Sequence, residues 1–267
     1  MTFAQPLNRN PRHEEAPVPA KRIWLHALWL TVLGFILLPF DFSFYGHQFE
    51  DSVPGDLSRV ITLSEIFAHG FGVILVAVAL WGLAASHRRA IPRVVICALW
   101  PAISVHLLKL LFARRRPLTY LQADGNPKFP ETVDATWLGF LSDERVNFPT
   151  YATQSFPSAH TATAWGLAIG LAWLFPRGRW LFFSLALLAS LQRITSLSHW
   201  PSDVCWGAAV AFLMAGAVTQ NWGIGYQLSK FEAKKATDLD SIKTVKIEPR
   251  KKAVSSCSRF DKPSLLE

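Results

Sequence analysis

The sequence predicts an all-α polytopic membrane protein, a six-span helical bundle, on three observations. Of its 267 residues 51% are hydrophobic and only 17% charged, whereas a soluble globular chain carries about 25% charged residues. The apolar residues gather into six runs, most of them near the roughly 20 residues that cross a bilayer. The Lys and Arg residues outside those runs concentrate on alternate connections. One such run could be a buried helix of a soluble core. Six between Ile23 and Trp222, with so few charges among them, cannot all hide there.

Residues 1–22 form a polar, Pro-containing N-terminal tail. The first run, Ile23–Phe40, is expected to be a retained span. The FDFSFYGHQFEDS around its end lacks the small-residue cleavage site of a secretory signal. The second, Ile66–Ala85, carries no charge and contains GFGVILVAVALWGLAA. The third is Ile91–Phe112. The fourth, Ala159–Phe175, is short and interrupted by polar groups, and Trp180–Leu197 and Val204–Trp222 complete the set. Residues 23–222 are therefore expected to be one core, followed by a basic tail over residues 223–267.

Charge sets the orientation. The N-terminal tail, the connections Ser86–Arg93 and Pro176–Arg179 and the tail from Gly223 hold nineteen Lys and Arg, against six on the other side. The positive-inside rule places both termini in the cytoplasm. From about Ser229 the tail lacks apolar periodicity and is expected to be disordered. Lys243, Lys246, Arg250, Lys251 and Lys252 offer the alternative of contact with anionic headgroups. With neither a folded basic surface nor aromatic platforms, the tail gives no reason to expect a nucleic-acid partner. Cys97, Cys205 and Cys257 are too few and scattered for a disulfide framework or a zinc site, and are read as plain thiols.

Polar residues of chemical interest collect at the membrane face opposite the tails. KLLFARRRP, Lys109–Pro117, ends the third run. Seven residues are close to two helical turns, so Lys109 and Arg116 are expected on one helical face, with Pro117 ending the helix. A snorkelling cationic cuff explains this group by itself, but a point charge beside a planar fork also suits a phosphate. Arg114 and Arg115 either grip a second phosphate or are solvated. SFPSAH, Ser155–His160, reads as a helix start with Ser158 as N-cap. The backbone N–H groups of the first turn, Ala159 among them, then make an anion site beside His160. A plain cap with a neighbouring histidine is the simpler alternative. RITSLSHWPSD, Arg193–Asp203, sets His199 four residues before Asp203. A carboxylate on one imidazole nitrogen would leave the other as a directed nucleophile or base, although an interfacial His with a capping Asp has the same spacing.

Together, cations, a capped helix start and two histidines on one face suit a phosphate ester. One histidine would attack in line and the other would protonate the leaving oxygen. No set of carboxylates, histidines or cysteines suits a metal there, so none is expected. A six-span transporter would instead spread ionisable residues through the bilayer depth.

These three motifs, K-x6-RP, PSAH and R-x5-H-x3-D, resemble the signature of the type 2 phosphatidic acid phosphatase superfamily in order and spacing, over about Ile66–Trp222. The resemblance implies a six-span helical fold, a metal-independent site at the extracytoplasmic face and no cofactor. It implies His199 as the nucleophile forming a phosphohistidine, Asp203 orienting it, and His160 as general acid. Lys109, Arg116, Arg193, Ser158 and the Ala159 N–H would hold the phosphoryl oxygens. The chain departs from the family at Ala159, where Gly is usual, and at Gln192, where Ser is common. The expected activity is hydrolysis of a phosphate monoester or pyrophosphate on a membrane lipid, in a bacterial inner membrane with the site facing the periplasm or exterior. The alternative is transfer of the phosphoryl group to another lipid or sugar acceptor. The sequence leaves the lipid and the oligomeric state open.

Overall fold

The computed structural model describes residues 20–45, 54–121, 128–138 and 150–233, and among them the regular elements are all helical. Helix α1 spans Ala20–Leu37 and continues as a 3-10 turn, Leu38–Phe44, where Pro39 removes a donor from the α-helical ladder. α2 spans Gly55–Leu63, α3 Gly70–Leu83, α4 Ile91–Leu111, α5 Ala159–Leu174, α6 Arg179–Thr195 and α7 Pro201–Thr219. A further helix, α8, covers 223–233.

α5 is the central helix, packed against α4, α6 and α7, while α1 lies along α7. Its composition explains the position. Small residues let neighbouring backbones approach closely, which is how helices associate in lipid. A Cβ built on Gly166 would lie 2.1 Å from the Cys97 carbonyl oxygen, and one on Gly170 3.0 Å from the Cys97 Cβ. Cys97 is the residue whose carbonyl loses its helical donor to Pro101, four positions on. The missing side chain of Gly166 therefore opens onto the one α4 carbonyl freed inside the helix. Gly207 of α7 meets Ser158 in the same way, with a built Cβ 2.4 Å from its carbonyl oxygen.

The outer faces reverse the pattern of a water-soluble protein. The buried core is rich in alanine, whereas Leu, Ile, Phe and Trp face outward; Trp29 is 70% exposed, Trp180 72% and Leu83 90%. A contiguous apolar exterior of this kind requires lipid around it. The chain is an integral membrane protein.

Not all six runs are straight helices of spanning length. Among the described residues, three helical stretches, Arg22–Phe44, Ala85–Leu111 and Pro201–Thr219, are long and apolar enough to cross a bilayer. A fourth exists if the pair Gly55–Ala68 and Gly70–Leu83, bent by 76°, counts as one span. The second run is thus not straight. His69 is extended, and Gly72 folds back so closely that a Cβ would sit 1.8 Å from the Ile66 carbonyl oxygen. α5 and α6 have 16 and 17 residues, about 24 and 26 Å at the helical rise, against a hydrocarbon core of about 30 Å.

At the end of the bundle away from His160 and His199, α8 departs from the expected tail. Arg93 of α4, 1% exposed, donates to the carbonyls of Val218 and Gly225, to Ser229 and to Glu232, and its guanidinium lies over the Trp173 ring. The helix is docked rather than free. The lysines and arginine of the tail beyond it, Lys243 to Lys252, lie outside the described residues.

Candidate active site

The first motif reaches its position by a route other than a continuous helix. α4 ends at Leu111, with Phe112 already extended, so Lys109 and Arg116 do not share a helical face. Residues 113–116 leave the helix because their backbone is bonded elsewhere. Arg114 and Arg116 donate to the carbonyls of Thr153 and Ala152, each at 2.9 Å, and Ser155 N–H donates back to Arg114 at 2.9 Å. The two cations still converge. Lys109 Nζ and Arg116 Nη2 both donate to the Gln154 carbonyl, at 2.8 and 3.3 Å. Arg116 also donates to Tyr151 and Ser198 carbonyls and lies over the Tyr151 ring. Arg114 neither grips a free anion nor meets solvent: it is fully buried between Asp41 and Asp203. Trp137 packs over Arg114 and against Phe156.

Ser158 is the N-cap of α5, accepting from Thr161 N–H at 3.4 Å and from its hydroxyl at 3.0 Å. Its own N–H donates to the Asp203 carbonyl at 3.1 Å, which joins the second motif to the third. Ala159 is buried and His160 half-buried in the first turn. The His160 ring meets His69 edge-to-face at 5.6 Å, and lies within electrostatic reach of Arg193, His199 and Lys109.

His199 follows a sharp turn between α6 and α7. Leu197 adopts φ +53°, a conformation rare for a branched residue and costing about 1 kcal/mol. It is held there by Leu118 N–H, which donates to its carbonyl at 3.0 Å. The imidazole is 1% exposed. Its Nδ1 is 2.6 Å from the Ser155 carbonyl and 3.9 Å from Asp203 Oδ2. A carbonyl only accepts, so Nδ1 carries the proton and Nε2 keeps its lone pair. Asp203 acts at one remove, its Oδ2 accepting from the Ser155 hydroxyl at 2.5 Å and from Trp200 N–H at 3.1 Å. Burial pulls His199 down to about 4 against the opposing influence of Asp203, with Lys109 and Arg116 adding to the fall. The ring is neutral at neutral pH.

Arg193 is held by a residue outside all three motifs. Its Nη2 is 2.6 Å from Glu65 Oε1, in the 3-10 turn Ser64–Ala68. Gln192 completes the triangle, with Nε2 donating to Glu65 at 3.2 Å and Oε1 accepting from Arg193 Nε. The unusual Gln192 is thus a splint for the Arg193 side chain. Glu65, Asp41 and Ser155 are the polar residues that sequence reasoning missed. Asp41 and Glu65 are isolated acids at the edges of apolar runs, a signal too common to select them. Ser155 stands in the SFPSAH segment, but its partner Asp203 lies 48 residues away.

The PAP2 superfamily model matches residues 90–223 of the chain. Two proteins named lipid A 1-phosphatase, from Rhizobium etli and Rhizobium johnstonii, are each 40% identical to it over 58 residues, 22% of this chain. That stretch covers 25% and 24% of their own lengths, so the chain aligns with about a quarter of these relatives. The crystal structure of Aquifex aeolicus LpxE resembles the fold with a TM-score of 0.46 and 21% identity, over 64% of this chain and 90% of that one.

Proposed function

We propose, because this chain belongs to the PAP2 superfamily, that it is a metal-independent phosphatase acting on a phosphate monoester or pyrophosphate of a membrane lipid. The observation that carries the reading is the pair of unlike nitrogens on His199. Nδ1 is committed to the Ser155 carbonyl at 2.6 Å, which leaves Nε2 as a neutral nucleophile with Lys109 and Arg116 among its charged neighbours.

In the proposed reaction the Nε2 lone pair forms a bond to phosphorus as the bond to the leaving oxygen breaks. His160 gives that oxygen its proton. Lys109, Arg116, Arg193, Ser158 and the Ala159 N–H hold the non-bridging oxygens at the start of α5. Water then attacks the phosphohistidine, gives a proton to His160, and releases phosphate and free His199.

The frame proposed for this chemistry has six spans, with α5 and α6 crossing as short helices beside longer neighbours. Both termini face the cytoplasm and the site faces the periplasm or exterior of an inner membrane. Residues 1–22 and 223–267 are the cytoplasmic tails of a core over 23–222. The relatives' name makes lipid A carrying a 1-phosphate the first substrate to try.

The test is phosphate release by purified protein in detergent, with EDTA present. The panel is lipid A, phosphatidic acid, phosphatidylglycerol phosphate and undecaprenyl pyrophosphate, each tried beside His199→Ala. Release that survives EDTA and vanishes in a folded His199→Ala protein is expected. Wild-type release from His199→Ala would remove the nucleophile, and release abolished by EDTA would remove the metal-free mechanism.

A further inference from the structure

Behind His199 lies a buried group of charges that reaches outside all three motifs. Asp41, in the turn that closes the first apolar helix, is 0% exposed, as are Arg114 and Asp203. Arg114 divides its fork between the two carboxylates. Nη2 is 2.7 Å from Asp41 Oδ2 and Nη1 2.6 Å from Asp203 Oδ1. Nη1 also donates to the Ser202 hydroxyl at 2.9 Å and Nε to Thr136 at 3.1 Å. Ser202 closes the group, donating its N–H and hydroxyl to Asp41 at 3.1 and 2.6 Å.

Two carboxylates and one guanidinium out of water carry one excess negative charge. A buried ionic set of this kind is weak support for stability, since apolar residues of the same volume often do as well. Its connections point instead toward the reaction. With Oδ1 of Asp203 held by Arg114, Oδ2 is left to the Ser155 hydroxyl, and Ser155 in turn presents its carbonyl to His199 Nδ1.

We propose that Asp41 and Arg114 are positioning residues for the phosphoryl transfer, Arg114 fixing Asp203 and Asp41 supplying the excess negative charge that stabilises the imidazolium formed when His199 bonds phosphorus. This inference rests on the phosphatase reading above. Forming the N–P bond uses the Nε2 lone pair while Nδ1 keeps its proton, so the ring gains a positive charge as the P–O bond breaks. The other charges facing the ring are cationic or ionise as cations. Lys109 comes from α4, Arg116 from residues 113–116, and His160 from α5. Arg193, at the end of α6, accepts His199 N–H at its carbonyl and bears its charge on Glu65. The Tyr45 hydroxyl donates to the His199 carbonyl at 2.6 Å and adds no charge to the ring. A surplus of negative charge on the far side is what that surrounding lacks.

The experiment measures kcat, KM and the pH profile of full-length wild type, Asp41→Asn, Arg114→Lys and His199→Ala, on the panel lipid that wild type cleaves fastest. Asp41→Asn preserves shape and removes one charge. It is expected to lower kcat about tenfold or more, to leave KM within about twofold, and to move the acid limb of kcat/KM to lower pH, because a nearby anion raises an imidazole. Arg114→Lys keeps the charge and loses the fork. It is expected to lower kcat with the limb in place, and it decides the question if Asp41→Asn is not recovered folded. A merely structural role would lower the melting temperature of both variants while kcat and limb stay at wild type, and that result overturns the inference. Activity retained by His199→Ala, or a wild type inert on the whole panel, would instead bring down the phosphatase reading and this inference with it.

Discussion

His199 has two nitrogens with different neighbours, and the difference should be visible in a pH profile. Burial pulls the group down to about 4, from a free value of about 6.5. A nucleophilic imidazole loses its lone pair when protonated, so activity is lost as pH falls through the pKa of the folded protein, while the basic side of the profile follows the loss of the His160 proton. The acid limb of kcat/KM in wild-type protein is therefore expected near pH 4, measured by phosphate release across the acid range. A limb near pH 6.5 would mean that burial does not hold the ring neutral in the acid range. At this scale the sequence was informative where chemistry repeats a local spacing. Lys109, Arg116, His160, Arg193, His199 and Asp203 were all legible, because their motifs are short. Asp41 was not, because its partner Ser202 is 161 residues away and only the folded bundle brings them together. Even the spacing of His199 and Asp203 misled in part. It suggests a direct pair, whereas the nearer acceptor is the backbone of Ser155.

The elements that position these side chains owe their approach to what is absent from them. α7 can pass the start of α5 only because residue 207 has no Cβ, the space being filled by the Ser158 carbonyl. Gly207→Ala is expected to push α7 away from Ser158, which carries the α5 cap and bonds Asp203. A destabilisation of about 1–3 kcal/mol is expected from such overpacking, with a fall in kcat larger than that of an alanine placed at Gly55, where nothing lies within 4 Å. Thermal melts and turnover of the two variants check this; equal behaviour would remove the close approach as a determinant of the site. Helices α1 and α3 to α7 were readable from the six apolar runs, unlike α2 and α8, and Ser158 was readable as a cap. Two breaks were not. The runs do not reveal the bend at His69, because Gly70 and Gly72 are as compatible with a straight apolar helix in lipid as with a fold-back. The early end of α4 was hidden too, since Arg114 and Arg116 leave the helix for backbone partners 39 and 36 residues further on.

The whole molecule sorts its charges by end. At one end Lys109, Arg116, Arg193, His160 and His199 surround the start of α5, with Asp203, Arg114 and Asp41 behind. At the other, Arg93 clamps α8 against the bundle. Between them lies a wall of small residues within and large apolar ones without, the arrangement that lipid rather than water selects. Composition alone announced this membrane class. For α5 and α6 the runs also came close to the helix length, 17 and 18 residues against helices of 16 and 17, and both helices are shorter than a bilayer core.

The central claim is that His199 itself becomes phosphorylated, and the most direct measurement is to trap that bond. Wild-type protein mixed with lipid substrate labelled in the phosphate is quenched in alkali within the first turnover, digested, and its peptides are sequenced by mass spectrometry. The expected result is an acid-labile, alkali-stable label on the peptide carrying His199, absent from His199→Ala and formed in the presence of EDTA. Phosphate released at the wild-type rate with no label on that histidine, or with the label on another residue, would contradict the account.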